Sequence, residues 1–468
     1  MTEEEELKSI AYRRGIFFPS AEIFGGISGF FEYGPIGLRI FNNVINEWRK
    51  FLYRINAIEI SGCIILPQIV MQASGHVNNF FDYVIKCNKC GAINRIDKLI
   101  EEQLNINVEG ENEEYFKKIL KENKVKCPAC GNIFSPESEI FKYNLMMKTN
   151  VANEEAFLRP EACQSIFLDF NRIYSIEGKL PLIIAQVGKA FRNEISPRNY
   201  LIRERELYQN DIEVFFEEDN FEPSDLKFNL FIDKNSYLSG KEALEKGLLE
   251  SKVSSHFIPL WNEFLVSLGF KQEEIRFRKL DKDKAFYAKE AYDVEIFDGK
   301  NWVEVTAINH RAKHDLSRYA EFGAKLSKIT NIFEISCGTD RLIYLLLLKS
   351  IRKDEKRTWL SLNNKIAPYA AEIVVVVKKD ELIKKALEIY NKIENKEDVY
   401  LLISDNIGKA YRKGEEIGIP FAFTIDYQTL EDNTVTIRDR ETTQQKRINS
   451  EEINDLVRKI RKEGFTFQ

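Results

Sequence analysis

A predicted β-hairpin in the first half of the chain concentrates side chains that could bind a charged ligand. Residues two apart on a strand share a face, so Arg192 and Glu194 point to the same side. The same spacing puts Gln209, Asp211 and Glu213 on one face of the return strand. A face rich in Arg, Glu, Gln and Asp is poor core material, because burying unpaired charge is costly. It is either a ligand site or a solvated face with cross-strand ion pairs, and the hairpin alone leaves both open.

The segment FEISCGTDR predicts a strand that runs directly into a helix. Glu334 and Ser336 share one face of this strand, and Gly338 marks the joint. Arg341 falls in the first turn of the helix, where an arginine beside the helix N-terminus can hold a phosphate oxyanion. The alternative is an arginine that caps a neighbouring strand end.

Two further carboxylates are ambiguous in isolation. Glu161 follows Arg159 by two residues, just before an apolar helix that Pro160 would begin. A glutamate there is expected to complement the helix dipole, so a purely structural role is the better interpretation of the segment alone. Glu304 and Arg311, in the run that begins WVEVTAI, have no decisive pattern around them.

Two CxxC pairs give a stronger signal. Cys87 and Cys90 form one pair, and Cys127 and Cys130 form the other, each followed by a glycine. Each pair can supply two thiolates from a tight turn, and two such turns make a tetrahedral zinc site with cysteine ligands only. Because four protein ligands leave no open coordination position, such a zinc would be structural. The alternatives are a site that has lost its metal and a redox role for the thiols.

The four histidines are not accompanied by a recognised catalytic or metal-binding pattern. His310 and His314 are four residues apart and could share a helix face, but no HExxH or Ser-His-Asp arrangement is present. We therefore expect His76, His256, His310 and His314 to be surface or hydrogen-bonded histidines.

Length and composition exclude several classes of protein. The chain has 468 residues, of which 44% are hydrophobic and 30% charged, so two or three globular domains are expected. A net charge of −5 excludes a strongly basic coat protein but leaves local basic patches possible. Apolar runs fall far short of the ~20 residues that span a bilayer. The acidic start MTEEEELKSI predicts no targeting peptide, and the chain is expected to be cytoplasmic.

Periodicity predicts the elements that position these side chains. Apolar residues between Phe41 and Leu52 follow helical spacing. Strand patterns cover Ile58–Leu66, which ends at Pro67, then Leu180–Glu194 and Glu206–Phe216. The run YDVEIFDGKNWVEVTAI predicts two strands around an Asp-Gly turn.

The chain is expected to fold as two domains. Residues 86–150 and about 217–285 look like insertions into the N-terminal domain, 1–363. In residues 364–468 the strands IVVVV, VYLLIS and PFAFTID alternate with helices, which is typical of an α/β domain. The whole chain is therefore expected to be α+β.

Taken together, these motifs resemble a known family. The segments GGISGFFEYGPIGLRIFNNVINEWRKF, ASGHVNNFFDYV, LRPEACQSIF, FRNEISPRNYLIRERELYQNDIEVF and FEISCGTDR occur in the order found in glycyl-tRNA synthetases of the dimeric, archaeal and eukaryotic type. The stretch DNIGKAYRKGEEIGIPFAFTIDYQTLEDNTVTIRDRET resembles the anticodon-binding domain of the same class II enzymes. The resemblance covers nearly the whole chain and implies an antiparallel catalytic sheet flanked by helices.

The resemblance implies a role for each candidate residue. Arg192 would hold the ATP α-phosphate, Arg341 the γ-phosphate, and Glu161 would complete the catalytic set. The ATP site would comprise Arg192, Asn193, Glu194, Ile202, Arg203, Glu204, Arg205, Glu206, Leu207, Glu304, Val305, Gly338, Thr339, Asp340 and Arg341. Glycine would be surrounded by Arg95, Glu161, Gln209, Asp211, Glu334 and Ser336.

The implied reaction has two steps and several partners. Glycine is activated with ATP and Mg²⁺ to an adenylate, and is then transferred to the 3′ end of tRNA(Gly). The implied assembly is a homodimer without a membrane partner, and a structural zinc is expected in it. Basic residues of the C-terminal domain are candidates for tRNA contact: Lys365, Arg412, Lys413, Arg438 and Arg440.

Some positions depart from the family pattern. Leu207 stands where a phenylalanine usually stacks on adenine, and Asp211 where glutamate is usual. Ile335 and Ala307 replace a proline and a glycine, and AlaCysGln follows the RPE segment where ThrAlaGln is common. None of these changes removes a charge that the chemistry needs.

Two alternatives remain from the sequence. The first is a class II synthetase for serine, proline or threonine. The second is a non-catalytic relative, such as the accessory subunit of mitochondrial DNA polymerase, which would have lost the phosphate-binding arginines. Retention of Arg192, Arg341, Glu161 and Ser336 argues against the second.

Overall fold

A computed structural model describes residues 2–462 of the chain, except residues 107, 109, 196, 198 and 282–287. The helices share an amphipathic pattern and cover the sheets. They are α1 (Glu3–Arg14), α2 (Pro35–Arg54), α3 (Gln68–Ala73), α4 (His76–Asn79), α5 (Ile96–Leu104), α6 (Glu113–Glu122), α7 (Cys163–Glu177), α8 (Gly240–Glu245), α9 (Lys252–Leu268), α10 (His314–Glu321), α11 (Thr339–Ser350), α12 (Asp380–Asn391), α13 (Ile407–Glu416), α14 (Tyr427–Asp432) and α15 (Ile453–Lys462).

The strands form one large sheet and several smaller ones. They are β1 (Phe17–Pro19), β2 (Phe31–Tyr33), β3 (Ile58–Glu59), β4 (Ile65–Pro67), β5 (Phe81–Lys86), β6 (Ile93–Arg95), β7 (Ile140–Asn144), β8 (Met147–Val151), β9 (Glu154–Leu158), β10 (Leu182–Phe191), β11 (Glu206–Phe216), β12 (Lys227–Phe231), β13 (Asn235–Ser239), β14 (Ile275–Lys279), β15 (Glu290–Phe297), β16 (Trp302–Ala312), β17 (Asn331–Gly338), β18 (Ile351–Lys353), β19 (Thr358–Leu360), β20 (Ala371–Val375), β21 (Val399–Leu402), β22 (Phe421–Ile425), β23 (Thr434–Asp439) and β24 (Gln445–Asn449).

The large sheet orders its strands β13-β12-β14-β15-β16-β17-β11-β10-β3. Its central pairs β10·β11, β11·β17, β16·β17 and β15·β16 are antiparallel, while β3 and β10, and β12 and β14, run parallel. This confirms the expected α+β class, with a large sheet that is mainly antiparallel.

The two faces of this sheet differ in polarity. One face carries apolar residues such as Ile212, Ile308 and Ile335, and packs against helices α2, α9 and α11 in the main core. On the other face, α7 covers only one end, where Phe170 stacks on Phe215 with ring centroids 4.2 Å apart. The rest of that face is left open for polar side chains.

Helix α2 shows why the sequence pattern predicts this packing. Pro35 stands at the helix start, where its missing N–H costs nothing. Ile40, Val44 and Trp48 recur at four-residue spacing and are buried against the sheet. The helix extends two residues beyond the expected end, to Arg54.

The segment with the cysteine pairs forms a small module of its own. Strands β6, β5 and β7 pair as an antiparallel sheet, from Phe81 to Asn144. Helices α5 and α6 cover it with a separate hydrophobic core that includes Cys87 and Cys127.

Residues 217–281, the described part of the segment expected as an insertion, continue the large sheet. Strands β12, β13 and β14 extend its edge. Trp261 of α9 is buried in the main core beside Phe51 of α2, with ring centroids 5.7 Å apart.

The predicted strand Ile58–Leu66 is broken in the structure. Only β3 and β4 at its two ends are strands, and they belong to different sheets. Gly62 between them lies so close to Ser165 that an added Cβ would approach the serine Cβ to 2.2 Å. The chain leaves the large sheet here to pass over helix α7, so the alternating pattern predicts too long a strand.

The C-terminal region contains the expected α/β arrangement. Strands β21, β20 and β22 are parallel, and β23 and β24 complete the sheet in antiparallel order. Ile453, Val457 and Ile460 of α15 are buried against it, as their spacing predicts. Within the described part of the chain, no helix is both long and apolar enough to cross a membrane.

Candidate functional site

A cleft of about 250 Å³ opens on the polar face of the large sheet. Its walls come from strands β11, β16 and β17, from the loop between β10 and β11, from the segment before α7 and from the start of α11. It is lined by Glu161, Arg192, Glu194, Leu201, Ile202, Arg203, Glu204, Leu207, Tyr208, Gln209, Glu304, Val305, Ala307, Asn309, Arg311, Glu334, Ser336, Gly338, Asp340 and Arg341. Strand register explains the grouping, because Asp211 lies opposite Ser336 and Gln209 opposite Gly338.

Arg192 stands at one end of the cleft, just after β10. Its Nε donates to the carbonyl of Pro160 at 3.1 Å, and its Nη2 lies 3.6 Å from Glu161. The guanidinium also lies over the Phe80 ring, 5.6 Å from the centroid. These contacts fix the side chain while leaving it on the cleft wall, where it can bind an anion.

Arg341 stands at the other end, in the first turn of α11. Its Nε donates to the carbonyl of Ile202 at 3.1 Å and its Nη1 to the carbonyl of Glu304 at 2.6 Å. Neutral carbonyl partners do not cancel the positive charge. Arg192 and Arg341 therefore supply positive charge at two points of the same cleft.

Glu194 and Arg203 form an ion pair on the cleft wall. Arg203 donates to the same carboxylate oxygen from Nε at 2.7 Å and from Nη2 at 2.5 Å. Glu194 is buried, so the pair is held in place, and it presents both a donor and an acceptor to a ligand edge.

A pair of acidic residues, Glu204 and Asp340, lies in the cleft wall beside Tyr33. The Tyr33 hydroxyl donates to Asp340 at 2.6 Å, and the Tyr208 N–H donates to its other oxygen. Burial, reinforced by the charge of Asp340, raises the pKa of Glu204 well above its usual range. Burial also raises the pKa of Asp340 to about 6. The raised pKa favours the neutral form of Glu204, and a neutral Glu204 would add less negative charge near a bound polyphosphate.

Glu161 is held between His76 and Arg192. His76 Nε2 lies 3.4 Å from its carboxylate and Arg192 Nη2 lies 3.6 Å away. Burial alone would raise the pKa of Glu161, but the hydrogen bond from His76 and the charges of Arg192 and Arg311 hold the pKa well below its usual range. Glu161 is therefore ionised at neutral pH.

Glu334 and Ser336 complete this part of the cleft from β17. Glu334 accepts from Asn309 at 2.7 Å and from Arg311 at 3.1 Å. The Ser336 hydroxyl donates to Asp211 at 2.7 Å. Burial raises the pKa of Asp211 to about 8, although the Ser336 hydrogen bond acts in the opposite direction.

Some of the predicted residues lie outside the cleft lining. The Arg205 guanidinium donates to the carbonyls of Glu194 and Ser28, Glu206 pairs with Lys189, and the buried Thr339 hydroxyl contacts Asn210. Their side chains support the cleft from behind.

Three further predicted residues also lie outside the cleft lining. The Asn193 N–H donates to the Leu145 carbonyl at 2.6 Å. Arg95 lies in the cysteine module, with Asp82 at 3.2 Å and Asp97 at 2.5 Å. Asp211 is fully buried behind Ser336, so the shorter side chain at this position is withdrawn from the cleft.

The prediction overlooked residues that the cleft brings together. Ala307, Asn309 and Arg311 alternate along β16, and this spacing was a usable signal for a shared face. His76 was assigned only the general role of a hydrogen-bonded histidine, and it is bonded to Ser74 at 2.8 Å as well as to Glu161. Its contact with Glu161 joins residues that are far apart in the chain, so no local sequence pattern predicts it.

The four cysteines of the CxxC pairs converge in the module. Cys87 and Cys130 sulfurs are 3.6 Å apart, and those of Cys90 and Cys127 are 3.7 Å apart. All four sulfurs lie within 4.8 Å of one another. A tetrahedral zinc with Zn–S bonds of ~2.3 Å needs sulfurs about 3.8 Å apart, so the donor set and spacing fit that ion.

The basic residues expected to contact tRNA divide into two groups. Arg440 is buried and donates to the carbonyls of Gly418 at 2.8 Å and Leu362 at 3.0 Å, and Arg438 pairs with the buried Glu415. The prediction of an exposed nucleic-acid contact is wrong for these two arginines. Arg438 is paired within the C-terminal region, and Arg440 links that region to the carbonyl of Leu362.

The remaining three candidates are more accessible. Arg412 is exposed, and Lys365 and Lys413 are partly exposed. They remain candidates for contact with a polyanion.

Comparisons with family models and solved structures agree with this architecture. Residues 143–232 match the tRNA synthetase class II core domain (G, H, P, S and T), and residues 372–460 match the anticodon binding domain. The fold resembles a crystal structure of prolyl-tRNA synthetase from Cryptosporidium parvum complexed with L-proline and AMP. That match has a TM-score of 0.58 and 14% identity, and covers 98% of this chain and 75% of the other.

Curated relatives are more similar in sequence. A glycine–tRNA ligase from Pyrococcus abyssi is 32% identical over 563 aligned positions, covering 98% of each chain. One from Methanocaldococcus jannaschii is 31% identical, covering 98% of this chain and 99% of the relative. The alignments exceed the 468 residues of this chain, so they open gaps in it. With this identity along nearly its whole length, the chain belongs to the glycine–tRNA ligase family of class II aminoacyl-tRNA synthetases.

Proposed function

We propose that this chain is an enzyme that activates glycine with ATP and transfers it to the 3′ end of tRNA(Gly). One observation carries the proposal. Arg192 and Arg341, which can bind phosphates, line the same cleft as Glu161, Glu334 and Ser336, which can bind a small ammonium compound. The cleft thus offers complementary charge to both substrates of the activation step.

In the first step, a glycine carboxylate oxygen attacks the α-phosphorus of ATP. A new P–O bond forms to glycine, and the bond to the pyrophosphate oxygen breaks. No general base is required, because the carboxylate is already ionised. The step depends on positioning and charge neutralisation. Arg192 would neutralise the α-phosphate and Arg341 the γ-phosphate, with the start of α11 adding its dipole.

The remaining groups of the cleft would position the nucleotide. Glu194 and Arg203 would bind the adenine edge and Leu207 its face. Glu304, exposed at the cleft, would meet the Mg²⁺ that accompanies ATP, beside Val305. Supporting positions would be Asn193, Ile202, Glu204, Arg205, Glu206, Gly338, Thr339 and Asp340.

Glycine would lie where Glu161, Glu334 and Ser336 face the cleft. The two carboxylates, the Ser336 hydroxyl and the Gln209 amide would hold the ammonium group. The same side chains would occupy the space that a larger amino acid needs. Exclusion of larger amino acids would then follow from clash, without an editing step. Arg95 would join only when the cysteine module moves toward the cleft.

In the second step, a ribose hydroxyl at the tRNA 3′ end attacks the adenylate carbonyl. An ester bond to the ribose forms, and the bond to the phosphate breaks to release AMP. Arg192 would stabilise the phosphate as it leaves. Lys365, Arg412 and Lys413 are the remaining candidates for contact with the tRNA backbone.

We also propose the finer features that the resemblance implies. Cys87, Cys90, Cys127 and Cys130 would hold a structural zinc, whose role would be to stabilise the module. The chain would act as a cytoplasmic homodimer, with a catalytic domain over 1–363 and an anticodon-binding domain over 364–468.

The phosphate-binding assignment is tested by replacing each arginine. R192A and R341A should each reduce glycine-dependent ATP–pyrophosphate exchange by about 100-fold or more, because charge that develops in the transition state would lose its partner. R458A, which removes an exposed arginine of α15, is the matched control and should retain exchange. Near-normal exchange by R192A or R341A in a folded protein would contradict the roles proposed here.

A further inference from the structure

Glu213 is a buried carboxyl group that the proposed chemistry does not use. It lies two residues beyond Asp211 on β11, on the face that carries the cleft, and its exposure is 0%. Among the described residues, neither of its side-chain oxygens has a hydrogen-bond partner. An ionised carboxylate without partners in such a place is costly, which raises the question of how its charge is handled.

The surroundings of Glu213 are rich in other acidic groups. Glu334 lies directly opposite it on β17, at 4% exposure. Asp315 of α10 and Asp211 of its own strand also face it, and the Cys163 thiol of α7 lies within 4.8 Å of both glutamates. Like charges directly opposite on a sheet repel each other.

The nearest positive charge serves other carboxylates. Arg311 of β16 donates to Asp315 twice at 2.7 Å, and to Glu334 at 3.1 Å. Asn309 gives Glu334 a further hydrogen bond at 2.7 Å. Burial raises the pKa of Glu334, but Arg311 and the Asn309 hydrogen bond act against this and favour its ionised form. Glu213 accepts a hydrogen bond from neither of these groups.

We infer that Glu213 keeps its proton at neutral pH and acts as a positioning residue, so that Glu334 carries the negative charge toward the glycine ammonium. This inference rests on the proposed function of the cleft. A proton removes the repulsion between the two cross-strand glutamates and leaves Arg311 directed at Glu334. An ionised Glu213 would instead compete for that guanidinium.

The electrostatic surroundings of Glu213 also favour its protonated form. Burial, followed by the charge of Glu334, raises the pKa of Glu213 well above its usual range, and Arg311 opposes this only in part. An unfolded glutamate releases its proton near pH ~4.3. The folded state retains the proton above that pH, so its stability falls with rising pH until the folded pKa is reached.

The first test is thermal unfolding of E213Q, which is isosteric and cannot ionise. The expected result is a melting temperature above that of the wild type, with a difference that grows between about pH 5 and pH 8. E334Q, the same change on the opposite residue, should lower the melting temperature because it removes a hydrogen-bonded anion. The inference would be overturned if E213Q melted at a lower temperature than the wild type and the difference stayed constant above about pH 5.

A second variant guards against a folding defect specific to glutamine. E213M is apolar and of similar length, and it should also fold with at least the wild-type melting temperature if Glu213 is neutral. Failure of both variants to fold would overturn the inference. A stabilising effect of added Zn²⁺ or Mn²⁺ that E213Q abolishes would also overturn it, because an ion would then replace the proton.

The functional readout is the KM for glycine in ATP–pyrophosphate exchange. E213Q should stay within about threefold of the wild type, whereas E334Q should raise KM by about tenfold or more, as expected for loss of a charge-assisted contact. An equal loss in both variants would contradict the inference. Absence of exchange in the wild type would refute the proposed function instead, and the melting temperatures would still report the protonation state.

Discussion

Glu161 depends on a histidine that is distant in sequence. His76 contacts its carboxylate at 3.4 Å and is itself oriented by the Ser74 hydroxyl at 2.8 Å. Burial raises the pKa of Glu161, and the His76 hydrogen bond and neighbouring positive charges lower it by more. A depressed pKa means that the negative charge is present at neutral pH and is lost only as the pH falls through the folded value.

Removing His76 should therefore weaken glycine binding in acid. In H76A the burial effect is no longer balanced, so the pKa of Glu161 rises. As the pH falls from about 8 to 5, the KM of H76A for glycine should increase by roughly tenfold more than that of the wild type. Exchange kinetics across this range provide the measurement. S74A keeps the imidazole and should show a smaller change, and a wild-type profile for H76A would contradict the role of His76.

Leu207 makes a different, non-electrostatic contribution. It lies in the cleft opposite the small Ala190 on β10, at the position where the family usually stacks a phenylalanine on adenine. A leucine offers apolar contact but no aromatic stacking, which is worth ~0.5–1.5 kcal/mol. L207F should therefore lower the KM for ATP by about two- to tenfold, and L207A should raise it. Steady-state exchange at varied ATP tests this, and an unchanged or higher KM in L207F would show that the ring has no room.

At the scale of elements, the cysteine module carries both the four-cysteine cluster and Arg95. Cys87 follows β5 directly, and Arg95 closes β6 with its guanidinium between Asp82 and Asp97. A zinc that fixes the ends of these strands would also fix Arg95. Metal binding at a structural site contributes directly to folding free energy.

Loss of one ligand should unfold the module before the rest of the chain. C127S is expected to lose bound zinc, measured by metal analysis, and to expose residues 81–144 to proteolysis. Cys63 is exposed and outside the cluster, so C63S is the matched control and should keep the metal. Equal zinc content in C127S and the wild type would contradict the assignment of the site.

Sequence patterns recovered the elements wherever local periodicity decides the structure. Helix α2, the hairpin β10–β11 and the strands and helices of the C-terminal region follow directly from spacing. The break between β3 and β4 was missed, because it arises from the close approach of Gly62 to Ser165. The joining of β12–β14 to the large sheet was also missed, since strand pairing across long separations leaves no local signal.

At the scale of the molecule, buried ion pairs join the N- and C-terminal regions. Arg357 and Arg438 both pair with the buried Glu415, and Arg13 and Arg14 of α1 pair with Glu416. Sequence alone cannot separate an arginine in such an interface from one on a nucleic-acid surface. For the same reason His76, whose contact with Glu161 is set by tertiary structure, was absent from the predicted site.

Features at all three scales together form the cleft. Sheet register sets the distances between carboxylates, the helix α11 start adds a phosphate-binding arginine, and the partly covered sheet face leaves room for both substrates. Amino-acid-dependent ATP–pyrophosphate exchange, measured with glycine, alanine, serine and proline, tests this account most directly. Exchange with glycine alone is the predicted result. Exchange with another amino acid, or with none, would contradict it.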